Sequence, residues 1–175
     1  MIGFDPNYML YVFLPTMLLS LGVQLYLRSS YSKWSKIRNS SNMTGMQVGE
    51  VLFNRTSLMD IPVQVVPGQM TDHFDPRANV VRLSQGTATQ ASVAAMAIAA
   101  HELGHVQQYQ TGSALIKARN FLVPAVQFSP TVSYIAILAG LLLNISGLLW
   151  VGIAFFGLMV VFTVLTLPVE FDASR

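Results

Sequence analysis

Residues 120–169 contain no charged side chain, and this long uncharged run constrains the fold of the chain more than any other feature. A helix that crosses a bilayer needs about 20 predominantly apolar residues. The polar sequence Asn-Ile-Ser-Gly at residues 144–147 divides the run in two. We therefore predict two membrane spans, within residues 121–143 and 147–168, that form a hairpin. The alternative, a helical hairpin buried inside a soluble protein, is disfavoured by the length of both segments.

A further apolar segment lies near the N-terminus, where residues 8–27 carry no charge. A cleaved signal peptide would have a basic segment before the apolar run and small residues at its end. Neither is present, so we predict an uncleaved membrane anchor. The whole chain is 53% hydrophobic and only 10% charged, whereas soluble domains carry about 25% charged residues. These features predict a mainly α membrane protein with about three transmembrane helices.

The middle of the chain, residues 28–119, is more polar and reads as a small folded domain. Its periodic apolar residues and its turn formers predict a helix over 44–54 capped by Thr44, strands over 61–66 and 78–83, a loop over 71–77, and a helix over about 90–110 that Gly112 ends. We therefore expect a small α+β domain with a short sheet. The strand at 78–83 is either an exposed edge that could bind an extended peptide or an ordinary strand of the sheet.

The distribution of basic residues predicts the orientation in the membrane. Nine of the ten Lys and Arg residues lie between Arg28 and Arg119, and the tenth is Arg175. Loops that carry an excess of Lys and Arg stay on the cytoplasmic side. We therefore expect the N-terminus outside the cell and residues 28–119 in the cytoplasm. The hairpin then leaves and returns, so Glu170 emerges on the same side as the polar domain.

The pentapeptide HELGH at residues 101–105 is the strongest chemical signal in the chain. Residues four apart lie on one face of a helix, so His101 and His105 can bind one Zn²⁺, with Glu102 beside it as a general base. The alternative is that both histidines lie on the surface of an amphipathic helix. Gly104 is a poor helix former, and a small residue there would let another element or a substrate approach closely.

A catalytic zinc usually has three protein ligands, and the third must come from a short set of residues. The chain has no cysteine, three histidines and three glutamates. His73, an Asp, Glu50 and Glu170 are therefore the candidates. We favour Glu170, because it is expected on the same side of the membrane as the two-histidine helix and because ionisable residues at a membrane are often functional. The alternative is that Glu170 only marks the end of the span.

Several stretches of the chain resemble the YugP-like membrane zinc metallopeptidases of prokaryotes. The matching stretches are DPNY at 5–8, TDHFDPR at 71–77, VRLS at 81–84, SVAAMAIAAHELGHVQQ at 92–108 and TLPVEFDASR at 166–175. This resemblance, which runs through nearly the whole chain, implies one Zn²⁺ per chain, held by His101, His105 and Glu170, with Glu102 as the base. It also implies a relationship to the gluzincin membrane peptidases such as the CAAX prenyl endopeptidases. In those, a membrane hairpin separates the two-histidine helix from a helix that carries the glutamate ligand.

The resemblance also implies a division of the chain into segments. These are an anchor over 1–27, a zincin-like catalytic domain over 28–119, a transmembrane hairpin over 120–168, and the start of the glutamate-ligand helix over 169–175. Members of the family usually continue for several more turns, which leaves open that this chain is a fragment of a longer protein.

Two positions after Glu170 depart from the pattern of related gluzincins. In those proteins an Asp four residues after the ligand glutamate often supports a zinc-binding imidazole. That position is Ser174 here, and Asp172 lies at i+2, which points away from Glu170 on a regular helix. Ser174 and Asp172 are the candidate supports, and the sequence leaves open which residue orients the imidazoles.

The activity that the resemblance implies is peptide hydrolysis by a zinc-activated water. The tetrahedral oxyanion of that reaction needs a stabiliser beyond the metal. His73 is the first candidate for this stabiliser, and a purely structural role for His73 is equally open. Arg77 and Arg82 are weaker candidates. Two other functions stay open: an intramembrane protease of the site-2 type, and a non-catalytic membrane scaffold that binds metal.

The expected partners are a peptide or protein substrate, which could itself be membrane-associated, and the lipid bilayer. We expect no nucleic-acid partner. The expected location is the plasma membrane of a prokaryote, with several passes through the bilayer.

Overall fold

A computed structural model describes residues 6–175, so Asp5 of the DPNY stretch lies outside the described residues. Over that range the elements, in chain order, are α1 Pro6–Ser35 (with a π-helical turn at Met9–Phe13), α2 Gly45–Arg55, β1 Val63–Val66, β2 His73–Asp75, β3 Val80–Ser84, α3 Gln85–Thr89, α4 Val93–Gln110, α5 Ala114–Leu143 and α6 Ser146–Ala173. The protein is therefore mainly helical with one small sheet, as the sequence predicts.

Three helices of the described residues are long and apolar enough to cross a membrane: α1, α5 and α6. This finding confirms the three predicted spans. The first two helices are longer than the apolar runs that identified them, because α1 continues to Ser35 and α5 begins at Ala114. The polar domain therefore begins and ends within helices that continue from the spans.

The third membrane helix carries Glu170 itself. α6 runs without a break from Ser146 to Ala173, through Pro168. A proline in a membrane helix removes one backbone hydrogen bond, and neighbouring helices and local adjustments make this tolerable. Residues 169–173 therefore belong to the same helix as the third candidate span, and the expected division of the chain at residue 169 stays a prediction.

Small residues hold α5 and α6 together as a hairpin. A Cβ added at Gly140 or Gly152 would come within 3.0 Å of a side chain of the partner helix, and such small residues let membrane helices approach closely. The Ser133 hydroxyl donates a hydrogen bond of 2.9 Å to the Gly152 carbonyl. Asn144 turns the chain between the helices with a φ of 54°. The hairpin therefore returns α6 to the polar domain, where its last turn packs on α4.

The sheet has the order β1-β3-β2, with β3 parallel to β1 and antiparallel to β2. The interpretation of residues 78–83 as an exposed edge is therefore wrong, because β3 is central and both of its edges are paired. The cause is β2, which forms within the 71–77 segment that its turn formers mark as a loop. β2 itself lies at the edge of the sheet.

The two-histidine helix α4 is anchored at its start and along one face. Its N-cap Ser92 accepts a hydrogen bond of 3.1 Å from the Ala95 amide, which satisfies one of the free donors at a helix start. A stripe of small and branched apolar residues then packs into the core with β3 and α2: Ala99, Leu103 and Val106. Burial of this stripe leaves His101 and His105 on the opposite side of the helix, facing α6.

The capped helix α2 forms where the sequence predicts it. The Thr44 hydroxyl accepts a hydrogen bond from the Gln47 amide, and the Gln47 side chain accepts one from the Thr44 amide. This reciprocal capping box satisfies two donors at the helix start. Val48 and Phe53 then bury the inner face of α2 against the same core as α4, which fixes the position of α4 from behind.

Candidate metal centre

The centre forms where α4 crosses the last turn of α6, and Gly104 makes this crossing possible. A Cβ added at Gly104 would overlap the Ala173 carbonyl oxygen and lie 2.9 Å from the Ala173 Cα. The small residue in the HELGH motif therefore lets another element approach, as expected from the sequence, and that element is the helix that carries Glu170.

Three ligand atoms converge at this crossing. The Glu170 Oε2 lies 3.3 Å from the His101 Nε2 and 3.4 Å from the His105 Nε2, and one ligand atom from each residue lies within 4.8 Å of the others. The two imidazole rings meet nearly edge to face, with centroids 4.7 Å apart. The structure thus brings together the three residues that the sequence suggests as metal ligands.

The spacing of these atoms fits a metal ion better than it fits an ion pair. Ligand atoms about 2.0–2.1 Å from a tetrahedral zinc are about 3.3–3.4 Å from one another, which matches both measured distances. A direct hydrogen bond between imidazolium and carboxylate would be shorter, about 2.7–2.9 Å. Two imidazoles and one carboxylate are also a donor set that catalytic zinc uses. The residues present therefore fit a zinc ion.

Ser174 fixes the orientation of His101. The Ser174 hydroxyl donates its hydrogen to the Glu170 backbone carbonyl at 3.0 Å. The Ser174 Oγ also lies 2.9 Å from the His101 Nδ1. Because its one hydrogen is already used, Oγ must accept the hydrogen of Nδ1–H. A neutral imidazole that carries its proton on Nδ1 has a free lone pair on Nε2. Ser174 therefore leaves the His101 Nε2, which faces Glu170, available to a metal.

Gln108 does the same for His105. The two amide protons of Gln108 are both committed to α6, one to the Val169 carbonyl and one to the Asp172 carboxylate, each at 2.8 Å. The amide oxygen must therefore accept from the His105 Nδ1–H, at 3.1 Å. The free lone pair of His105 is then on Nε2, and the residues on either side of Glu170 help to orient this second imidazole.

The two candidate supports thus have different places in the site. Ser174 contacts an imidazole directly, whereas Asp172 reaches His105 only through Gln108. Gln108 is not among the candidate residues named from the sequence, although the sequence contains a signal for it. Residues 101, 105 and 108 lie at i, i+4 and i+7, which is one face of a helix, and a glutamine on that face can both accept from an imidazole and donate to a neighbour.

Glu102 lies beside the three candidate ligands His101, His105 and Glu170, here called the triad. It is nearly buried, with 7% of its surface exposed. Burial raises the pKa of its carboxyl group, and the nearby carboxyl groups of Asp72 and Glu170 add to this shift, while a hydrogen bond from the Phe74 backbone opposes it. A carboxyl group with a raised pKa is better suited to accept and return a proton than a fully exposed one. Its position next to the ligands matches the role that the motif predicts for it.

The triad opens into a cavity of about 260 Å³, here called the metal cavity. Its wall includes Glu102, Asp72 and His73, the buried Ile116, and Arg119 with Asn120 from the start of α5. His73 reaches the wall from β2, and its Nδ1 lies 2.8 Å from the Thr71 carbonyl oxygen. Because a carbonyl only accepts, Nδ1 carries a proton. The Nε2 lies 3.4 Å from the Arg82 Nη1, a guanidinium nitrogen that can only donate to it. This geometry does not supply a donor for an oxyanion, so that role of His73 stays a prediction.

The remaining sequence candidates lie outside the triad. Glu50 is exposed on α2 and does not line the metal cavity. Arg82 is held by Asp75 at 2.6 Å, and this contact lowers the pKa of Asp75 to about 2. Arg77 lines a neighbouring cavity and does not line the metal cavity.

Comparison with known proteins gives one family and one curated relative. Residues 8–175 match the family described as "Putative neutral zinc metallopeptidase". The relative is "Putative membrane protease YugP" of Bacillus subtilis (strain 168), which is 38% identical over 168 residues, covering 95% of this chain and 75% of the relative. No solved structure gives a significant match. Since the family matches almost the whole chain, as the stretches quoted above already suggest, this protein belongs to that family.

Proposed function

We propose that the chain is a membrane-bound zinc metalloendopeptidase that binds one Zn²⁺ through His101, His105 and Glu170. The observation that carries this proposal is the convergence of the three ligand atoms at 3.3 and 3.4 Å, with the buried carboxyl group of Glu102 in the same cavity. The order along the chain also supports a gluzincin-like assignment of the site. The two-histidine helix α4 comes first, the hairpin of α5 and α6 follows, and Glu170 lies at the end of that hairpin. The family description supports peptide hydrolysis as the reaction.

In this proposal the residues of the chain hold the ion and move the protons. When bound, zinc lowers the pKa of a water ligand and polarises the scissile carbonyl. Ser174 and Gln108 hold the two imidazoles in the tautomer that offers Nε2. Glu102 accepts the proton of the attacking water and returns it to the leaving amine, a role that contributes about 10²–10⁴-fold to the rate in enzymes.

We place the substrate peptide along β2. This strand is at the edge of the sheet, and its residues His73 and Phe74 line the metal cavity. An edge strand has unpaired backbone groups, and an extended peptide can add to it by main-chain hydrogen bonds. The strand-addition hypothesis therefore moves from residues 78–83 to residues 73–75.

The structure gives less support to an intramembrane protease. The two-histidine helix α4 is not among the helices of residues 6–175 that are apolar enough to span. Its apolar face packs into the core with β3 and α2. A non-catalytic metal-binding scaffold would retain the triad and would not need Glu102, so the activity of a Glu102 variant separates that function from the one proposed.

The membrane placement in this proposal follows the basic residues. The polar domain lies in the cytoplasm of a prokaryote, the N-terminus lies outside, and the three helices α1, α5 and α6 cross the plasma membrane. The partners are a peptide or protein substrate and the lipid bilayer. The contact between α4 and the end of α6 supports this placement, because it puts Glu170 on the side of the polar domain.

Two substitutions test the proposal. Glu102→Gln is expected to retain zinc and to lose at least 10²-fold in cleavage of a broad peptide library. Glu170→Ala is expected to lose or weaken zinc, as measured by metal analysis after dialysis. Full zinc content together with full activity in Glu170→Ala would contradict the ligand assignment, and unchanged cleavage by Glu102→Gln would contradict the mechanism.

A further inference from the structure

Arg119 carries the one buried side-chain nitrogen or oxygen atom that has no hydrogen-bond partner within the described residues 6–175. That atom is its Nε. A buried donor without a partner loses its hydration and gains nothing in return, and such an atom in a native structure calls for an explanation. Arg119 lines the metal cavity. Since its Nε is itself buried, a ligand in the cavity would bind the terminal nitrogens of the guanidinium group, and this contact would offset the cost of burying the side chain.

Arg119 also lies between two cavities. A second cavity of about 480 Å³, here called the arginine cavity, adjoins the metal cavity and shares with it Phe74, Pro76, Arg119 and Asn120. It continues from the strand β2 towards the membrane helix α5, where Val123 forms part of its wall. A chain that leaves the metal cavity on this side therefore passes Arg119.

The charges of the two cavities differ. The metal cavity contains the carboxyl groups of Asp72, Glu102 and Glu170. The arginine cavity contains Arg77, Arg119 and Asp75, and Asp75 is already paired with Arg82 at 2.6 Å. Within the described residues, neither Arg77 nor Arg119 has an ion pair. The arginine cavity thus has a surplus of positive charge next to a site that is otherwise acidic.

The aromatic residues that line the arginine cavity are suited to contact a peptide side chain. Phe74 and Tyr109 meet edge to face with centroids 5.5 Å apart, and both line the cavity. Aromatic and apolar walls with a few placed polar groups are typical of ligand sites. A guanidinium binds a carboxylate through two parallel hydrogen bonds, and the Asn120 amide can donate a further one.

We propose that the arginine cavity is a specificity subsite for a carboxylate of the substrate, which Arg119 binds while the scissile bond lies in the metal cavity. The inference rests on the proposed peptidase function and names a feature of its substrate, namely an acidic residue or a free C-terminus close to the cleaved bond. Arg77 increases the local positive charge, and Arg119 forms the direct contact.

The test measures binding without turnover, so that it does not depend on cleavage. The protein carries Glu102→Gln and is placed in phosphatidylcholine nanodiscs with zinc. Fluorescent peptides of one sequence differ only in Glu or Gln at one position, scanned along the peptide, and in a free or amidated C-terminus. Binding by fluorescence anisotropy is compared for the parent, Arg119→Gln, Arg119→Lys and the control Arg55→Gln, whose arginine lines neither cavity.

We expect the parent to bind one acidic peptide, or the peptide with the free C-terminus, about tenfold more tightly than its neutral partner, which is typical for one charge-assisted hydrogen-bonded pair. Arg119→Gln should abolish this preference and leave the affinity for neutral peptides unchanged. Arg119→Lys should keep only part of it, because lysine cannot form the two parallel bonds. Arg55→Gln should bind as the parent does.

Three results would overturn the subsite. The first is the absence of any acid preference in the parent. The second is an Arg119→Gln variant that keeps the preference or that binds all peptides equally weakly, since the latter indicates a contact with the peptide backbone. The third is loss of the preference in the control Arg55→Gln as well, which would indicate a general electrostatic attraction of acidic peptides to the polar domain. Zinc binding and cleavage by the protein with Glu102 intact test the peptidase function separately.

Discussion

Replacing Gly104 with Ala should weaken zinc binding, although the same change favours the helix itself. Ala is about 1 kcal/mol better than Gly in a helix interior. In the structure, however, a Cβ at this position would overlap the Ala173 carbonyl oxygen and lie 2.9 Å from both the Ala173 Cα and its carbonyl carbon. These are backbone atoms of α6, so the helix itself must move, because no side chain can rotate out of the way.

The size of the effect follows from these distances. Carbon atoms pack at about 3.5–4.0 Å, and the carbonyl oxygen is closer still, so the end of α6 must retreat by roughly 1 Å. Glu170 lies one turn before Ala173 on the same helix, and its carboxylate should move by a similar distance. Metal–ligand distances tolerate only about ±0.2 Å. We therefore expect zinc to bind at least tenfold more weakly, a loss of about 1.4 kcal/mol or more.

The assay is competition for zinc between the purified protein and a chelator, in detergent. The matched control is Gly157→Ala, which makes the same substitution within α6 at a glycine where an added Cβ meets nothing within 4 Å. This control should bind zinc as wild type does. If Gly104→Ala also bound zinc with wild-type affinity, the contact between α4 and α6 would not set the position of Glu170, and the reasoning would be refuted.

Three further substitutions test the supports of the site and of the fold. Gln108→Met removes the acceptor for His105 and both donors to α6, so zinc affinity should fall by about 10–100-fold in the chelator assay; the exposed neighbour Gln107→Met should change nothing, and equal affinities of the two variants would contradict the role of Gln108. Ser174→Ala should weaken zinc by about tenfold and Ser174→Thr, which keeps the hydroxyl, should restore it; failure of the threonine to do so would argue against the hydrogen bond. Thr44→Ala should lower the free energy of unfolding by about 1 kcal/mol through loss of the helix cap without affecting zinc affinity, and a change in zinc affinity would show that α2 is coupled to the site.

The sequence predicts the membrane helices and the position of α4 because each depends on local signals. The spans are long uncharged runs, α2 starts at the side-chain cap Thr44, and Gly112 follows the end of α4 with a positive φ. Even the meeting of Glu170 with the two histidines could be expected, since an even number of membrane crossings returns it to the same side. These features need only composition, periodicity and topology.

The parts that the sequence did not predict depend on contacts between distant segments. β2 has only three residues and lies among turn formers, so its strand state comes from pairing with β3. Gln108 gains its role from Val169 and Asp172, which approach only when α6 docks on α4. Arg119 has its proposed role because the start of α5 and the strand β2 line the same two cavities. The local sequence shows which residue types are present at these positions. It does not show which distant residues will contact them in the folded protein and give them a function.

X-ray absorption at the zinc edge of the zinc-loaded protein tests the central claim, a zinc centre shared by α4 and α6, most directly. The account predicts two imidazole nitrogens and a carboxylate oxygen at about 2.0–2.2 Å from the metal, with the carboxylate contribution lost in Glu170→Ala. A wild-type spectrum without two imidazoles, or a zinc environment that is the same in Glu170→Ala, would contradict it.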